Sequence, residues 1–243
     1  MDLPITPPCI SLAPLLQATF LERENRFRVR IQVAGVLATA HLANPGRLKE
    51  LLTPGCTVWV RRADRPSRKT AYDLALVQQG ETLISVDAHV PNRLLYMALQ
   101  SASLAGLAKY TQVQAEVTVG HSRIDFLLTS PQRERCWLEA KSVTLVQGHK
   151  ALFPDAPTKR GRRHLETLMQ LVRQGEQAAV GFVIQRPDAV AFSPNDATDQ
   201  AFREALRVAA ASGVKILAWR CAVTTDSICL GSPVSVYLDP QRS

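Results

Sequence analysis

Arg123-Ile124-Asp125-Phe126, followed fourteen residues after Asp125 by Glu139-Ala140-Lys141, decides how this chain is read. Side chains of a strand alternate between faces, so Glu139 and Lys141 project to one side while Ala140 turns away and leaves its carbonyl available. With Asp125 on a neighbouring strand, two carboxylates and one ammonium converge at the end of a hairpin. Hard oxygen donors of this kind suit Mg2+ (or Mn2+), which retains waters and is commonly held by one or two carboxylates plus a substrate phosphate. The ion polarises a phosphodiester and acidifies water, and Lys141 orients that water or stabilises charge developing on phosphorus. The bland alternative is a solvated strand face on which Glu139 and Lys141 pair with their neighbours.

The flanking sequence supplies the order of elements that such a core requires. Val113 to Val119 and Arg123 to Leu128 read as a hairpin about Gly120-His121-Ser122, and Cys136 to Lys141 as a third strand. A helix is expected from about Arg162 to Gln174, with Leu165, Leu168, Met169 and Val172 on one face. Ala178 to Ile184 is an apolar run expected to be buried on both sides, as in a mixed or parallel sheet. A second helix, about Asp199 to Ala211, leads into the strand Val214 to Trp219. This is the arrangement of the PD-(D/E)XK nuclease superfamily. Glu116, on the first hairpin strand, is either a third metal-directed carboxylate or a solubilising residue. Arg186, with Gln185 at the end of the buried run, either contacts a phosphate or caps the surface.

Upstream, a change of pattern at Ala88-His89-Val90-Pro91-Asn92 places a domain boundary close to residue 88, giving units 1–87 and 88–243. Asn92 reads as the N-cap of an amphipathic helix carrying Leu94, Leu95, Ala98 and Leu99. Before it, Phe27 to Val33, Val36 to His41, Thr57 to Arg62, Asp73 to Gln78 and Thr82 to Val86 read as short strands, with one helical turn around Arg47 to Leu52. Five short strands suit a small β-barrel of the oligonucleotide-binding (OB) type. The expected class is therefore mixed α/β (α+β), an OB-fold-like barrel followed by a PD-(D/E)XK nuclease-like domain.

Charge points to polyanions. The chain carries 29 Lys and Arg against 21 Asp and Glu, a formal net charge of +8, and both halves share the excess. Four of the five residues from 159 to 163 are basic (Lys159, Arg160, Arg162, Arg163) and open a helix, where free amides already favour an anion. Thr158 caps that helix or binds phosphate. His164 is either a proton carrier or a hydrogen-bonded structural residue. In the first unit Arg61, Arg62, Arg65, Arg68 and Lys69 surround a loop near Trp59 and Tyr72, a combination that suits single-stranded nucleic acid by stacking and backbone attraction; Trp59 as core is the competing reading. The five cysteines (Cys9, Cys56, Cys136, Cys221, Cys229) are dispersed without metal-site spacing and are expected as reduced thiols, several of them buried. No long apolar run or secretory start is present, so a cytoplasmic protein without a membrane partner is expected.

Taken together, Glu116-(x3)-Gly120, Ser122-Arg123-Ile124-Asp125-Phe126-Leu127, Leu138-Glu139-Ala140-Lys141-Ser142-Val143-Thr144-Leu145, Phe153-Pro154-Asp155-Ala156 with Thr158, Arg160-Gly161 and His164-Leu165, and Phe182-Val183-Ile184-Gln185-Arg186 resemble the signatures of the sugar fermentation stimulation protein A family. His41 to Leu48, Arg68-Lys69-Thr70 and Pro91-Asn92 extend the resemblance over nearly the whole chain. It implies an OB-type barrel, a PD-(D/E)XK-like domain, DNA binding and an association with regulation of maltose metabolism. By position it implies a site of Asp125, Glu139 and Lys141 with Glu116 as accessory metal ligand; Arg123, next to this motif, is counted with the cations expected to face nucleic acid. The family's Glu-Val-Lys has Ala140 in place of valine, and its Asn-Thr-Gly is here Asn44-Pro45-Gly46, which removes a hydroxyl and a backbone donor. The intact Asp, Glu and Lys set favours a nuclease; a regulator that binds DNA without turnover is the competing class, and a protein-binding scaffold a third.

Overall fold

The computed structural model describes residues 7–12, 14–63 and 69–239. After a short first strand, β1 (Cys9–Ser11), the chain builds a barrel from β2 (Leu16–Asn25), β3 (Arg28–Val33), β4 (Val36–His41), β5 (Thr57–Arg62) and β6 (Tyr72–Gln79), with β7 (Thr82–Ser85) appended to β6. β4 closes the barrel by pairing with β6 through Ala40 and His41. Strict alternation forms β3: Val29, Ile31 and Val33 point inward, while Arg28, Arg30 and Gln32 face solvent. Ala34 and Gly35 both hold positive φ (47° and 81°) at the β3–β4 turn, the conformation a two-residue hairpin of matching twist requires. Strand β2 lies between β3 and β5, and was not expected from sequence because its outer end, Glu22 to Asn25, is polar and charged. The helical turn expected at 47–52 is a hydrogen-bonded turn in which the Leu52 amide reaches the Leu48 carbonyl at 2.9 Å.

The rest of the chain forms a seven-stranded mixed sheet in the order β1-β16-β15-β13-β10-β9-β8. Its members are β8 (Gln112–Val119), β9 (Ser122–Thr129), β10 (Arg135–Val143), β13 (Gln177–Ile184), β15 (Lys215–Val223) and β16 (Ser227–Pro233), together with β1. The central trio β10, β13 and β15 is parallel, and β13 is buried on both faces as its apolar run predicts. Helix α1 (Val90–Gln100) covers one face; α2 (Lys159–Arg173) and α3 (Gln200–Ala211) cover the other. A small sheet of β11 (Val146–Gln147), β12 (Lys150–Phe153), β14 (Ala191–Pro194) and β17 (Ser235–Val236) sits on the crossovers.

Local chemistry sets the helix starts. Thr158 caps α2 by accepting from the Gly161 amide at 2.9 Å, so the helix begins at Lys159, three residues earlier than periodicity suggests. Asp199 caps α3 in the same way. Helix α1 begins before Asn92, with Pro91 in its first turn and no side-chain cap, and this frees the Asn92 amide for another partner.

The cysteine expectation is corrected at one pair. Strand β1 lies antiparallel to β16 with Cys9 directly opposite Cys229, and the two form a disulfide, while Cys56, Cys136 and Cys221 are free thiols. A separation of 220 residues hides that juxtaposition from any reading of spacing. Among the described residues, no helix is long and apolar enough to cross a membrane.

Candidate metal centre and nucleic-acid interface

The site lies where two strands part. β9 and β10 pair antiparallel only from Arg135 opposite Thr129 to Leu138 opposite Phe126, after which β10 continues alongside β13 as far as Val143. Asp125 is the first residue of β9 beyond that ladder. Its Oδ2 accepts from the Ala140 amide at 2.8 Å, taking the place of a strand partner, and its Oδ1 accepts from Asn92 Nδ2 on α1 at 2.7 Å. Glu139 is 3% exposed. Its Oε1 touches both Lys141 Nζ and the Nδ1 of His164 from α2, while its Oε2 is buried with no partner. Nε of Arg160 donates to the Nε2 of His164 at 3.3 Å.

Burial and electrostatics separate the two carboxyls. Burial, reinforced by the negative Glu139, raises the Asp125 carboxyl above its ordinary range, and Lys141 with the Ala140 and Asn92 donors only partly offsets this. Burial also opposes ionisation of Glu139, but the Lys141 ammonium and the His164 contact outweigh it and bring that carboxyl down to about 2. Two adjacent carboxylates, one with an orphaned buried oxygen, form a donor set that a divalent cation fits. Among the described residues no three His, Cys, Asp or Glu groups gather closely enough to hold a metal alone. The set is thus of the kind completed by waters and a substrate phosphate.

The remaining residues singled out from the sequence divide by partner. Glu116 lies across from Asp125 in register, between the pairs Ala115–Phe126 and Val117–Ile124. Its backbone is left-handed (φ 55°), and its carboxylate sits 3.6 Å from the Arg123 guanidinium, both side chains being exposed. The structure does not bring it to the Asp125–Glu139 pair. Lys159, Arg160 and Arg163 are exposed on the first turns of α2. Arg162, by contrast, is ion-paired with the Asp199 carboxylate at 2.9 and 3.0 Å. Arg186 is buried, bound to Asp188 at 2.6 Å, to the Thr144 carbonyl and to Gln79 of the barrel. It ties the barrel to the sheet.

On the barrel, Arg62 and Lys69 are exposed and line a cleft of about 800 Å³ with Arg30, Thr39 and Tyr72. Arg61 lies 3.7 Å from Asp73; Arg65 and Arg68 fall outside the described residues. Trp59 packs against the core shared with α1, which settles its reading as core. Sequence reasoning missed Asn92 as a partner of Asp125, since Asn beside Pro signals a cap. It also missed Asp155, whose Oδ2 accepts the Arg47 amide of the barrel at 2.7 Å.

Residues 21–86 match the SfsA N-terminal OB domain and residues 89–227 the sugar fermentation stimulation protein RE domain. The chain belongs to the sugar fermentation stimulation protein family. It is 49% identical to the family homolog of Moorella thermoacetica, covering 93% of this chain and 98% of that one, and 43% identical to the homolog of Alkaliphilus metalliredigens over 91% and 96%. The structure of Pyrococcus furiosus SfsA in complex with Ca2+ superposes with a TM-score of 0.88 at 27% identity, covering 96% of this chain and 99% of that chain. The mixed α/β class, an OB-like barrel followed by a nuclease-like α/β domain, is the fold of this family member.

Proposed function

We propose that this family member binds DNA and hydrolyses its phosphodiester bonds with Mg2+ or Mn2+ held by Asp125 and Glu139. The observation that carries this reading is Glu139 Oε2. Leaving a buried polar atom without a partner costs roughly 1–3 kcal/mol, and more for a charged one, whereas Glu139 Oε1 and both Asp125 oxygens are hydrogen-bonded. An oxygen so placed beside a second carboxylate suits a hard cation. The Ca2+ bound by the Pyrococcus furiosus relative supports a divalent site in the family.

A bound divalent ion supplies Lewis acidity toward a phosphodiester oxygen and acidifies water. The chain's own residues do the rest. Asn92 and the Ala140 amide hold the Asp125 carboxylate in one orientation, and Lys141, kept against Glu139, offers an ammonium where negative charge grows on phosphorus. Lys159, Arg160, Arg163 and Arg123 are exposed cations able to attract the backbone. Arg62 and Lys69 add a second basic surface in the barrel cleft. The intact Asp, Glu and Lys set favours turnover over a DNA-binding regulator.

The test is cleavage of single-stranded, duplex and branched DNA with Mg2+, with Mn2+ and with a chelator, alongside folded Asp125→Ala and Glu139→Ala proteins. Cutting that requires metal and disappears in both variants is the expected outcome. DNA binding that weakens with salt but never yields a cut product, under either metal, would transfer the protein to the regulator class.

A further inference from the structure

Behind the Glu139 carboxylate stands a buried imidazole whose protonation pattern the hydrogen bonds dictate. His164 is 2% exposed and lies one turn along α2 from Arg160. A guanidinium has only donors, so the Arg160 Nε–H pointing at His164 Nε2 requires a lone pair on that nitrogen. The ring proton then sits on Nδ1 and is donated to Glu139 Oε1. The same oxygen receives Lys141 Nζ, so both donors converge on Oε1 and Oε2 is left without one.

We propose that His164 is a positioning residue that fixes which oxygen of Glu139 faces the cation, its Nδ1–H held by the Glu139 carboxylate and its Nε2 by Arg160. This rests on the metal reading above, but its first link, Arg160 to His164, stands in the metal-free protein. The chain of contacts runs from an exposed cation on the first turn of α2, through one buried ring, to the carboxylate with the orphaned oxygen. An imidazole that orients a ligand carboxylate tunes metal affinity without touching the metal, as outer-shell partners generally do. The two open readings of His164 are thereby narrowed: with its Nδ1 proton held by Glu139 and its Nε2 occupied by Arg160, the ring orients rather than shuttles.

The experiment combines two readouts on the full chain. In metal-free protein with 15N-labelled histidine, long-range 1H–15N spectra are expected to show His164 as the Nδ1–H tautomer. Arg160→Met, which keeps the stem and removes the donor to Nε2, is expected to leave that tautomer in place, because the Glu139 carboxylate still demands the Nδ1 proton. Calorimetric titration with Mn2+ is expected to show affinity about 10- to 100-fold weaker in His164→Leu. His164→Asn, whose amide N–H replaces the Nδ1 donor, is expected to recover most of it. A wild-type His164 found as the Nε2–H tautomer overturns this role, as does wild-type Mn2+ affinity in folded His164→Leu. Should the Leu variant not fold, His164→Gln, whose amide reaches the Nε2 rather than the Nδ1 position, carries the decision: its Mn2+ affinity is expected to stay weak, and a wild-type value overturns the role. Wild-type protein that takes up no Mn2+ overturns the metal reading and the role of His164 with it, whereas wild-type binding that these variants leave untouched overturns only the role of His164.

Discussion

Asp199 joins the two helices that cover the site face of the sheet, and its removal has a calculable effect. Its carboxylate accepts from the Thr158 amide at 2.7 Å, from the Phe202 amide at 2.9 Å and from Arg162 at 2.9 and 3.0 Å, with its side chain 4% exposed. One group thus caps α3 and holds the residue that caps α2. Loss of an N-cap costs about 1 kcal/mol, and a hydrogen bond to a charged group contributes about 1.5–3 kcal/mol. The Arg162 pair adds less because that side chain is 27% exposed and its charge stays partly hydrated. Asp199→Ala is therefore expected to lose about 3–4 kcal/mol, a large share of a stability of about 5–15 kcal/mol. Asp199→Asn keeps an acceptor for a cap and should lose about 1–2 kcal/mol. Urea unfolding followed by circular dichroism measures both as shifts in midpoint. The pH dependence has a definite sign. Burial opposes ionisation of this carboxyl, but the two amides and Arg162 together hold it below its ordinary value. A depressed carboxyl adds stability that is present above its unfolded pKa of about 3.9 and is lost as pH falls through the folded value. The gap between wild type and Asp199→Asn should accordingly be full at neutral pH and narrow below about pH 4. An Asp199→Ala protein within 1 kcal/mol of wild type, or a gap that widens in acid, would refute this account of the helix junction.

Two further outcomes follow from the geometry. The Cys9–Cys229 bond closes a loop of 220 residues, for which the chain-entropy model gives at most about 5 kcal/mol; Cys9→Ser should unfold at lower urea than wild type and coincide with wild type in reductant, and equal midpoints without reductant would show that the bond adds nothing. Arg163→Ala should lower the slope of log affinity for DNA against log salt by about 1 with stability unchanged, whereas Arg162→Ala should lose stability and keep the slope; fluorescence anisotropy across a NaCl series decides, and the reverse pattern would reject the division of these two arginines.

Legibility in the sequence followed locality. Strands β3 to β7 were readable because their apolar positions alternate between glycine and proline turns, and β13 because an unbroken apolar run bounded by polar residues has one economical placement. Strand β2 was opaque: only Ala18 and Phe20 of its ten residues are buried, and its remaining side chains read as a solvated segment. At the site, the spacing of Asp125, Glu139 and Lys141 carried the chemistry because strand alternation is a short-range rule. Neither Asn92, bonded 33 residues away, nor the Asp199–Arg162 pair announces itself, since an Asn or Asp beside a helix start satisfies the local rule for a cap whether or not a distant partner claims it.

The loop Asn44-Pro45-Gly46 shows how the two parts of the molecule are made to act together. The Gly46 amide donates to Asn44 Oδ1 at 2.8 Å and the Arg47 amide to Asp155 Oδ2 at 2.7 Å, while Arg23 gathers the carbonyls of Asn44, Gly46 and Arg47. A Cβ on Gly46 would stand 2.7 Å from Asp155 Oδ2, so any larger residue would push that carboxylate off the Arg47 amide. Proline in place of threonine at position 45 removes an amide donor, but the donors that make the junction belong to the next two residues. A second junction joins Ser85 of the barrel to Gln185, whose amide goes on to Ser142 beside Lys141. Asp155 for its part lies four residues before the basic start of α2. Each of these hydrogen bonds adds only about 1 kcal/mol, but they must break together for the barrel to swing. The barrel cleft and the α2 cations therefore belong to parts that several hydrogen bonds hold in one arrangement.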